Sequence, residues 1–347
     1  MKSNKYEIDM CNGSIMDKLV SFALPLMLSG ILQLMFNAVD IIVVGRFSGS
    51  EALAAVGSTT ALINVFTNLF IGISLGANVL AARFFAAGRR EEMSETVHTS
   101  ITLALISGIF MAFVGLIFSK WALELMGTPE DVIGLSTLYM RIYFMGMPFF
   151  MLYNYGAAIL RAVGDTKRPL YFLIIAGVIN AGLNMVLVIV FGLGVAGVGI
   201  ATVFSQMVSC VLVLTCLCRT EGSYKLSFSK LSMKGYYLKQ IFQVGIPAGI
   251  QSTVINFSNA LLQSSVNSFG STAMAGYTAA NNILGFLYVS INSVTQACMS
   301  FTSQNFGVGK YKRMDRVLID CMILSVGAAL VLSLIHISEP TRPLYIS

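Results

Sequence analysis

Nine apolar stretches, most of them about 20 residues long and separated by short polar connections, leave this chain few folds to adopt. They cover approximately residues 19–44, 52–82, 101–118, 138–159, 170–190, 193–217, 241–269, 272–301 and 318–334. In hydrocarbon no water is available to backbone N–H and C=O groups, so each such stretch must satisfy its own hydrogen bonds as a helix. The fifth and sixth are parted only by the turn Gly192-Leu193-Gly194. Composition agrees, since 11% of the residues are charged, against about a quarter in soluble domains. The expected class is an all-α polytopic protein embedded in a lipid bilayer.

The basic residues set its orientation. Eighteen of the 22 Lys and Arg residues fall before the first span or in the connections after spans two, four, six and eight. Only Arg46, Lys120 and Arg141 fall on the other side, and Arg342 lies in the tail. Positive charge collects on cytoplasmic loops, so the N-terminus is expected in the cytoplasm of a multi-pass plasma-membrane protein. The net charge of +6 thus reports topology. No dense basic face carries exposed aromatics, and nucleic acid is not an expected partner. Residues 1–17 are polar and lack the order of a cleaved signal peptide. The six cysteines include no C-x-x-C pair and mostly lie in apolar runs, where they read as small buried hydrophobes.

The chain repeats itself. Pro25 and Pro247 each stand near the start of a long apolar run, 222 positions apart, and at that offset Asn37 falls on Asn259. After a one-residue slip, Gly49-Ser50 falls on Gly270-Ser271, Ala52 on Ala273 and Ala54 on Ala275, and Gly88-Arg89 matches Gly309-Lys310. The second copy follows an even number of spans, so both copies enter from one side. Two parallel six-helix lobes with a pathway between them are one transporter design. The expected division is a segment at 1–17, a complete first lobe at 18–218, a linker at 219–240, a second lobe of about three helices at 241–332, and a non-native tail at 333–347.

Asp40 is the one carboxylate well inside an apolar span, and a charge there costs at least a few kcal/mol. Ser29, Gln33, Asn37 and Asp40 are spaced to share a helix face, with Pro25 expected to bend the same helix. The bland alternative is a hydrated Asp40 near the outer end, flanked by Arg46. Asn180 and Asn184 are i,i+4 neighbours, and Thr202 lies early in the next span. With Asp40 they offer oxygen ligands of the kind hard cations prefer. Alternatively Asp40 alone takes up and releases a proton, because apolar surroundings disfavour its ionised form. The amides could equally serve as hydrogen bonds between helices. Ser252, Asn256, Asn259 and Gln263 follow helical spacing in the second half, where residues 240–306 hold no carboxylate. Asn154, Gln206 and Asn281 are further candidates for a cavity wall. Amides set among Met and Phe suit large, partly apolar cations.

Enzyme chemistry is not expected. Gly307-Val308-Gly309-Lys310 is too short for a phosphate-binding loop, and His98 and His336 have no triad-like or metal-like company. No cofactor or metal is expected beyond a sodium ion at Asp40.

Several segments resemble the multidrug and toxic compound extrusion (MATE) family of efflux transporters. They are Pro25 with Asn37-Ala38-Val39-Asp40 through Gly45-Arg46, Leu160-Arg161-Ala162-Val163-Gly164-Asp165-Thr166-Lys167-Arg168-Pro169, and Asn180 with Asn184. Gly194-Val195-Ala196-Gly197 running into Ala201-Thr202 and Gln304-Asn305-Phe306-Gly307 complete the set. The resemblance implies export of small, often cationic drug-like compounds in exchange for Na+ or H+ by alternating access. It also implies a cation site at Asp40, Asn180, Asn184 and Thr202. Gln33, Asn37, Asn154, Gln206, Asn256 and Asn259 are the candidates for a substrate cavity. A monomer is expected. Many members of the family carry Asp where this chain has Asn184, which leaves Asp40 as the sole acid and weakens the case for sodium. The missing acid in span seven makes the chain look closer to the DinF-like branch than to the NorM-like one. A lipid-linked saccharide flippase of the same superfamily is the rival reading, and such a cavity would carry more basic residues. A non-transporting membrane scaffold or enzyme is the alternative of a different class. The family has twelve helices, so a chain ending after nine is expected to be cut short and not to transport on its own. Its tail resembles translated sequencing-adapter DNA.

Overall fold

A computed structural model describes residues 6–267 and 271–338 of the chain. Ten α-helices follow in order: α1 (Ile15–Phe47), α2 (Ser50–Ala86), α3 (Arg90–Leu125), α4 (Glu130–Met145), α5 (Met147–Ala162), α6 (Lys167–Asn184), α7 (Gly194–Arg219), α8 (Gly235–Asn267), α9 (Ser271–Gly307) and α10 (Tyr311–Ser338). Among the described residues there is no strand. Among the described residues, five helices are long and apolar enough on their own to cross a bilayer, namely α1, α2, α3, α7, and α6 with its continuation to Val190.

The expected spans fall within these helices, with one correction. The span at 138–159 is two 16-residue helices that meet at Gly146. Pro148 lies in the first turn of α5 and has no N–H for the Phe144 carbonyl, so α4 stops just ahead of it. A β-carbon at Gly108 of α3 would stand 2.5 Å from Pro148 Cα, so α3 packs backbone to backbone on this bend. With α4 and α5 as one broken crossing, α1–α7 form the six crossings of the first half. The linker is shorter than expected, because α7 ends at Arg219 and α8 begins at Gly235. α1 runs unbroken through Pro25, with the Ser29 hydroxyl donating to the Pro25 carbonyl at 2.8 Å. α10 runs on to Ser338, past the expected boundary at 332. Residues 339–347, the repeat pairs at Gly270, Ser271, Ala273 and Ala275, and the side chains of Gln263, Asn281 and His336 lie outside the described residues.

The turns that carry most of the basic residues gather at one end of the bundle, here the basic end. The closest approaches between the two halves lie toward it. The ring centroids of Phe22 and Phe301 are 5.7 Å apart at 86°, and the Arg83 guanidinium lies 4.8 Å from the Phe306 ring centroid. Between α2 and α8 the contact is glycine on backbone. A β-carbon at Gly245 would stand 2.5 Å from Ile73 Cα, and one at Gly249 2.6 Å from the Leu69 carbonyl oxygen. Small residues let helices approach this closely in a membrane, where burial of apolar surface supplies little drive between them. Gly249→Val is expected to push α2 from α8 at a cost of about 1–3 kcal/mol. A fall in the thermal unfolding temperature of the detergent-solubilised protein measures it, and an unchanged temperature would mean that the seam yields.

Amides and cations of the second half also hold backbone carbonyls of the first. Gln304 Nε2 donates to Ala162 O at 2.7 Å, and Asn305 Nδ2 to Met10 O at 3.1 Å. Lys310 Nζ donates to Cys11 O at 2.9 Å, and Arg313 Nη2 to Gly13 O at 3.0 Å. Asn78 of α2 sits between, donating to Ala158 O at 2.8 Å and accepting from the Ser300 hydroxyl at 3.0 Å.

The turn between α5 and α6 is built around an ion pair. Asp165 is fully buried, and it accepts from the Arg168 N–H at 3.1 Å and from Arg168 Nε. Gly164 turns with φ 92°, where a β-carbon would meet the backbone of Ile8 at 2.6 Å. Only glycine combines that conformation with so close a neighbour. The N-terminal segment therefore lies directly on this turn.

Candidate functional site

Three helices bring the polar side chains of the first half together. Asp40 is on α1, Asn180 and Asn184 lie one turn apart on α6, and Thr202 is on α7. α1 and α6 meet tightly because Gly177 leaves room for the Phe36 ring. α6 then changes register. Asn184 is its last α-helical residue, and Met185–Val190 continue as a π-helical turn, a distortion often found at functional sites. Gly192 and Gly194, at φ 64° and 52°, turn the chain back so that α7 packs on α6.

The four side chains form a closed ring of hydrogen bonds. Asn184 Nδ2 donates to Asp40 Oδ1 and, at 3.2 Å, to Asn180 Oδ1. Asn180 Nδ2 lies 3.5 Å from Thr202 Oγ1, which in turn lies 3.5 Å from Asp40 Oδ2. The Thr202 hydroxyl also faces the Val198 carbonyl at 2.9 Å. It has one hydrogen and can give it to only one of the two. Asp40 is 7% exposed, Asn180 4% and Asn184 0%. Among the described residues no salt bridge reaches Asp40.

One atom is left over. Asn184 Oδ1 is buried and has no hydrogen-bond donor, and such an orphaned acceptor in a native interior calls for a partner. The cluster as a whole offers oxygens, namely the Asp40 carboxylate, the Asn180 and Asn184 amide carbonyls and the Thr202 hydroxyl, although it is Asn184 Nδ2 that now faces Asp40 and Asn180. That donor set fits a hard cation. A single carboxylate offsets one positive charge, so a monovalent ion leaves the site neutral, whereas a divalent ion would leave net charge in an apolar interior. Among the described residues no cluster of three or more His, Cys, Asp or Glu could hold a metal ion.

Tyr139 of α4 is buried, and Tyr143 one turn on is partly buried against the same core. Their ring centroids are 6.2 Å apart. Sequence reasoning passed over this pair because two aromatics at helical spacing read as packing.

The expected cavity residues scatter. Gln33 and Asn37 share the helix face of Asp40, yet they are exposed where α6 and α7 no longer cover α1. Asn259 of α8 is exposed as well. Asn154 and Asn256 turn back onto their own helices, donating to the Phe150 and Ser252 carbonyls at 2.8 Å each. Gln206 is half-buried on α7, with an Oε1 that has no donor by geometry.

Comparison with known proteins gives concordant results. The MatE family model matches residues 25–186 and 247–344, two blocks that begin at Pro25 and Pro247. The chain is 34% identical over 306 residues to the probable multidrug resistance protein YoeA of Bacillus subtilis (strain 168), covering 86% of this chain and 66% of the relative. It is 28% identical over 309 residues to the probable multidrug resistance protein YpnP of the same organism, covering 88% and 68%. It thus spans about two thirds of the length of these relatives. A solved structure of the outward-facing conformation of a multidrug resistance MATE family transporter of the MOP superfamily superposes with a TM-score of 0.86 at 24% identity, covering 97% of this chain and 74% of that one.

Proposed function

Because this chain belongs to the MATE family of multidrug efflux transporters, we propose that it is built to export small, often cationic organic compounds in exchange for a monovalent cation, Na+ or H+, bound at Asp40. The observation that carries this reading is the single buried carboxylate of Asp40, held by Asn184 Nδ2, with the oxygen of the same amide buried and donorless. A sodium ion would take that oxygen together with Asp40, Asn180 and Thr202. A proton on Asp40 would offer the same oxygen a donor once the amide turned over. The multidrug names of the two Bacillus relatives support drug-like substrates. Exposed, uncharged Gln33, Asn37 and Asn259 suit a lipophilic cation better than an anionic lipid.

The basic end faces the cytoplasm on this reading, in accord with the distribution of Lys and Arg. The halves approach most closely there, while the exposed amides lie farther along the helices. That arrangement supports a conformation open away from the cytoplasm, in which Asp40 exchanges its ion with the outside. Rocking the halves about the glycine seam would present the same carboxylate to the other side, as alternating access requires.

Thermal unfolding of the detergent-solubilised chain, compared in sodium and choline chloride at several pH values, tests the cation site. A rise in unfolding temperature specific to sodium supports sodium coupling, and one seen only on acidification supports the proton. Absence of both responses would overturn the proposal.

Asn184→Ala is expected to weaken the cation response by about 10- to 100-fold, the worth of a hydrogen bond to a charged group. The midpoint of the sodium or pH titration measures the loss, and an unshifted midpoint would remove Asn184 from the site.

A further inference from the structure

His98 lies two turns into α3 and is 3% exposed. Both of its ring nitrogens have partners. Nδ1 is 2.6 Å from the Ser94 carbonyl oxygen, and Nε2 is 3.2 Å from the backbone N of Ser227. A carbonyl can only accept, so Nδ1 carries the hydrogen. A backbone N–H can only donate, so Nε2 must present a lone pair. This geometry accommodates one tautomer of the neutral ring. An imidazolium donates at both nitrogens and would set Nε2–H against the Ser227 N–H.

Ser227 belongs to the linker between the two halves. The linker is folded onto the first half by buried Tyr224 and Leu226, by the Leu226 N–H donating to Leu217 O at 3.1 Å, and by the Tyr224 hydroxyl donating to Glu7 Oε1 at 2.7 Å. Although His98 is buried, it forms part of the wall of a half-open cavity of about 660 Å³ at the basic end. Protons therefore reach the ring from solvent without crossing the bundle.

We propose that His98 is a proton-binding site separate from the Asp40 cluster, and that proton uptake there releases the inter-half linker from α3. The titratable groups around the cavity are Glu7 from the N-terminal segment, Arg90 from α3, and Glu221, Tyr224, Lys225 and Lys230 from the linker. Glu7 already accepts from Tyr224, and three cations face two carboxylates, so these groups do not hold a proton on the ring. The Glu95–Lys234 ion pair, 2.6 Å long, lies one turn away and tethers the end of the linker independently.

The sign follows from proton counting. The docked state binds no proton at His98, and the released state can bind one. Docking is therefore favoured at high pH and weakens as pH falls, by up to about tenfold per pH unit for a single proton. Release lengthens the free connection between the halves. On the orientation proposed above, the proton sensed is cytoplasmic.

Hydrogen exchange of linker residues 223–230 in the detergent-solubilised protein, corrected for intrinsic exchange rates, tests this between about pH 8 and pH 5. Protection is expected to fall about tenfold per pH unit below the midpoint, while that of α7 stays level. His98→Gln keeps a carbonyl acceptor for Ser227 and cannot titrate, so its linker is expected to stay protected throughout. The chain has only two histidines, so nitrogen-15 shifts of the unmutated protein supply a second measurement that needs no variant. They should report the Nδ1–H tautomer at high pH and a doubly protonated ring as the linker opens. Linker protection that is independent of pH, or a ring that titrates without linker release, would overturn the proposal. Repeating the exchange in Asp40→Asn separates the two sites. A preserved linker response there supports an independent site at His98 whatever becomes of the transport reading, and a lost one refutes that independence.

Discussion

Asp40→Asn is expected to abolish the response to sodium and to protons while the helix bundle stays folded. The two side chains have nearly the same shape, and asparagine keeps an oxygen within reach of the Asn184 amide that now donates to Asp40. What disappears is the only charge in the ring. At about 4 Å and an effective dielectric near 20, one unit charge contributes on the order of 4 kcal/mol toward holding an opposite charge, roughly a thousandfold in affinity. None of the remaining amides or hydroxyls can replace it, because a neutral dipole holds a buried ion far less strongly. Nor can asparagine carry a proton at physiological pH, so both forms of coupling are lost together. The measurements are the sodium-dependent shift in unfolding temperature and its pH-dependent counterpart. A variant that keeps either cation response would sink the assignment of Asp40.

The largest expected effect on stability lies elsewhere, in the turn between α5 and α6. Asp165→Ala is expected to cost about 3–5 kcal/mol, because it strands a largely buried guanidinium without its counter-charge. Arg168 has little to fall back on. Its Nη1 donates to Cys216 Sγ at 3.1 Å, its guanidinium lies 5.5 Å from the Tyr6 ring centroid, and Nη2 already has no hydrogen-bond partner. Burial pushes the Asp165 carboxyl above its ordinary range, opposed by the Arg168 guanidinium and backbone N–H groups. The pair is thus held at a desolvation cost and fixes one arrangement of the turn. Replacing both partners should therefore be far milder than replacing one. Asp165→Ala with Arg168→Met is expected to regain most of the folded yield, read by size exclusion and thermal unfolding. A double variant as unstable as Asp165→Ala alone would argue against the charge explanation.

Much of this architecture was legible because hydrocarbon permits so little. A carboxylate among apolar residues needs partners, which is why Asp40, Asn180, Asn184 and Thr202 could be grouped before any contact was known. The tight turn at Gly192–Gly194 was legible for the same reason, since glycine was the one residue type able to make it. Helix ends were less legible. α3 begins at Arg90, well before the apolar run at 101, because helices extend past the hydrocarbon and Glu91 and Glu92 favour a helix N-terminus. The break at Gly146 was hidden by hydropathy, which counts Met147 and Phe149 as span and ignores the missing donor of Pro148. The π turn after Asn184 lies in a uniformly apolar stretch, where the sequence has no periodicity to disturb. Asn154 and Asn256 offered the right chemistry, but a side-chain amide one turn from a free carbonyl often prefers its own helix.

The dock at the basic end has a consequence for how this protein tolerates change. Gln304, Asn305, Lys310 and Arg313 of the second half all donate, and what they grip in the first half is mostly main chain: the carbonyls of Ala162, Met10, Cys11 and Gly13, with one side-chain acceptor, Asn12 Oδ1 at 2.8 Å from Lys310 Nζ. Recognition of a carbonyl is blind to the side chain that carries it. Cys11 can therefore drift in sequence while the clasp survives, whereas buried Met10, the Asn12 acceptor and left-handed Gly13 are each held to their identity. Each of the four donors, by contrast, is exposed to loss by a single codon change, so a screen for compensating mutations should return mainly revertants at the donors.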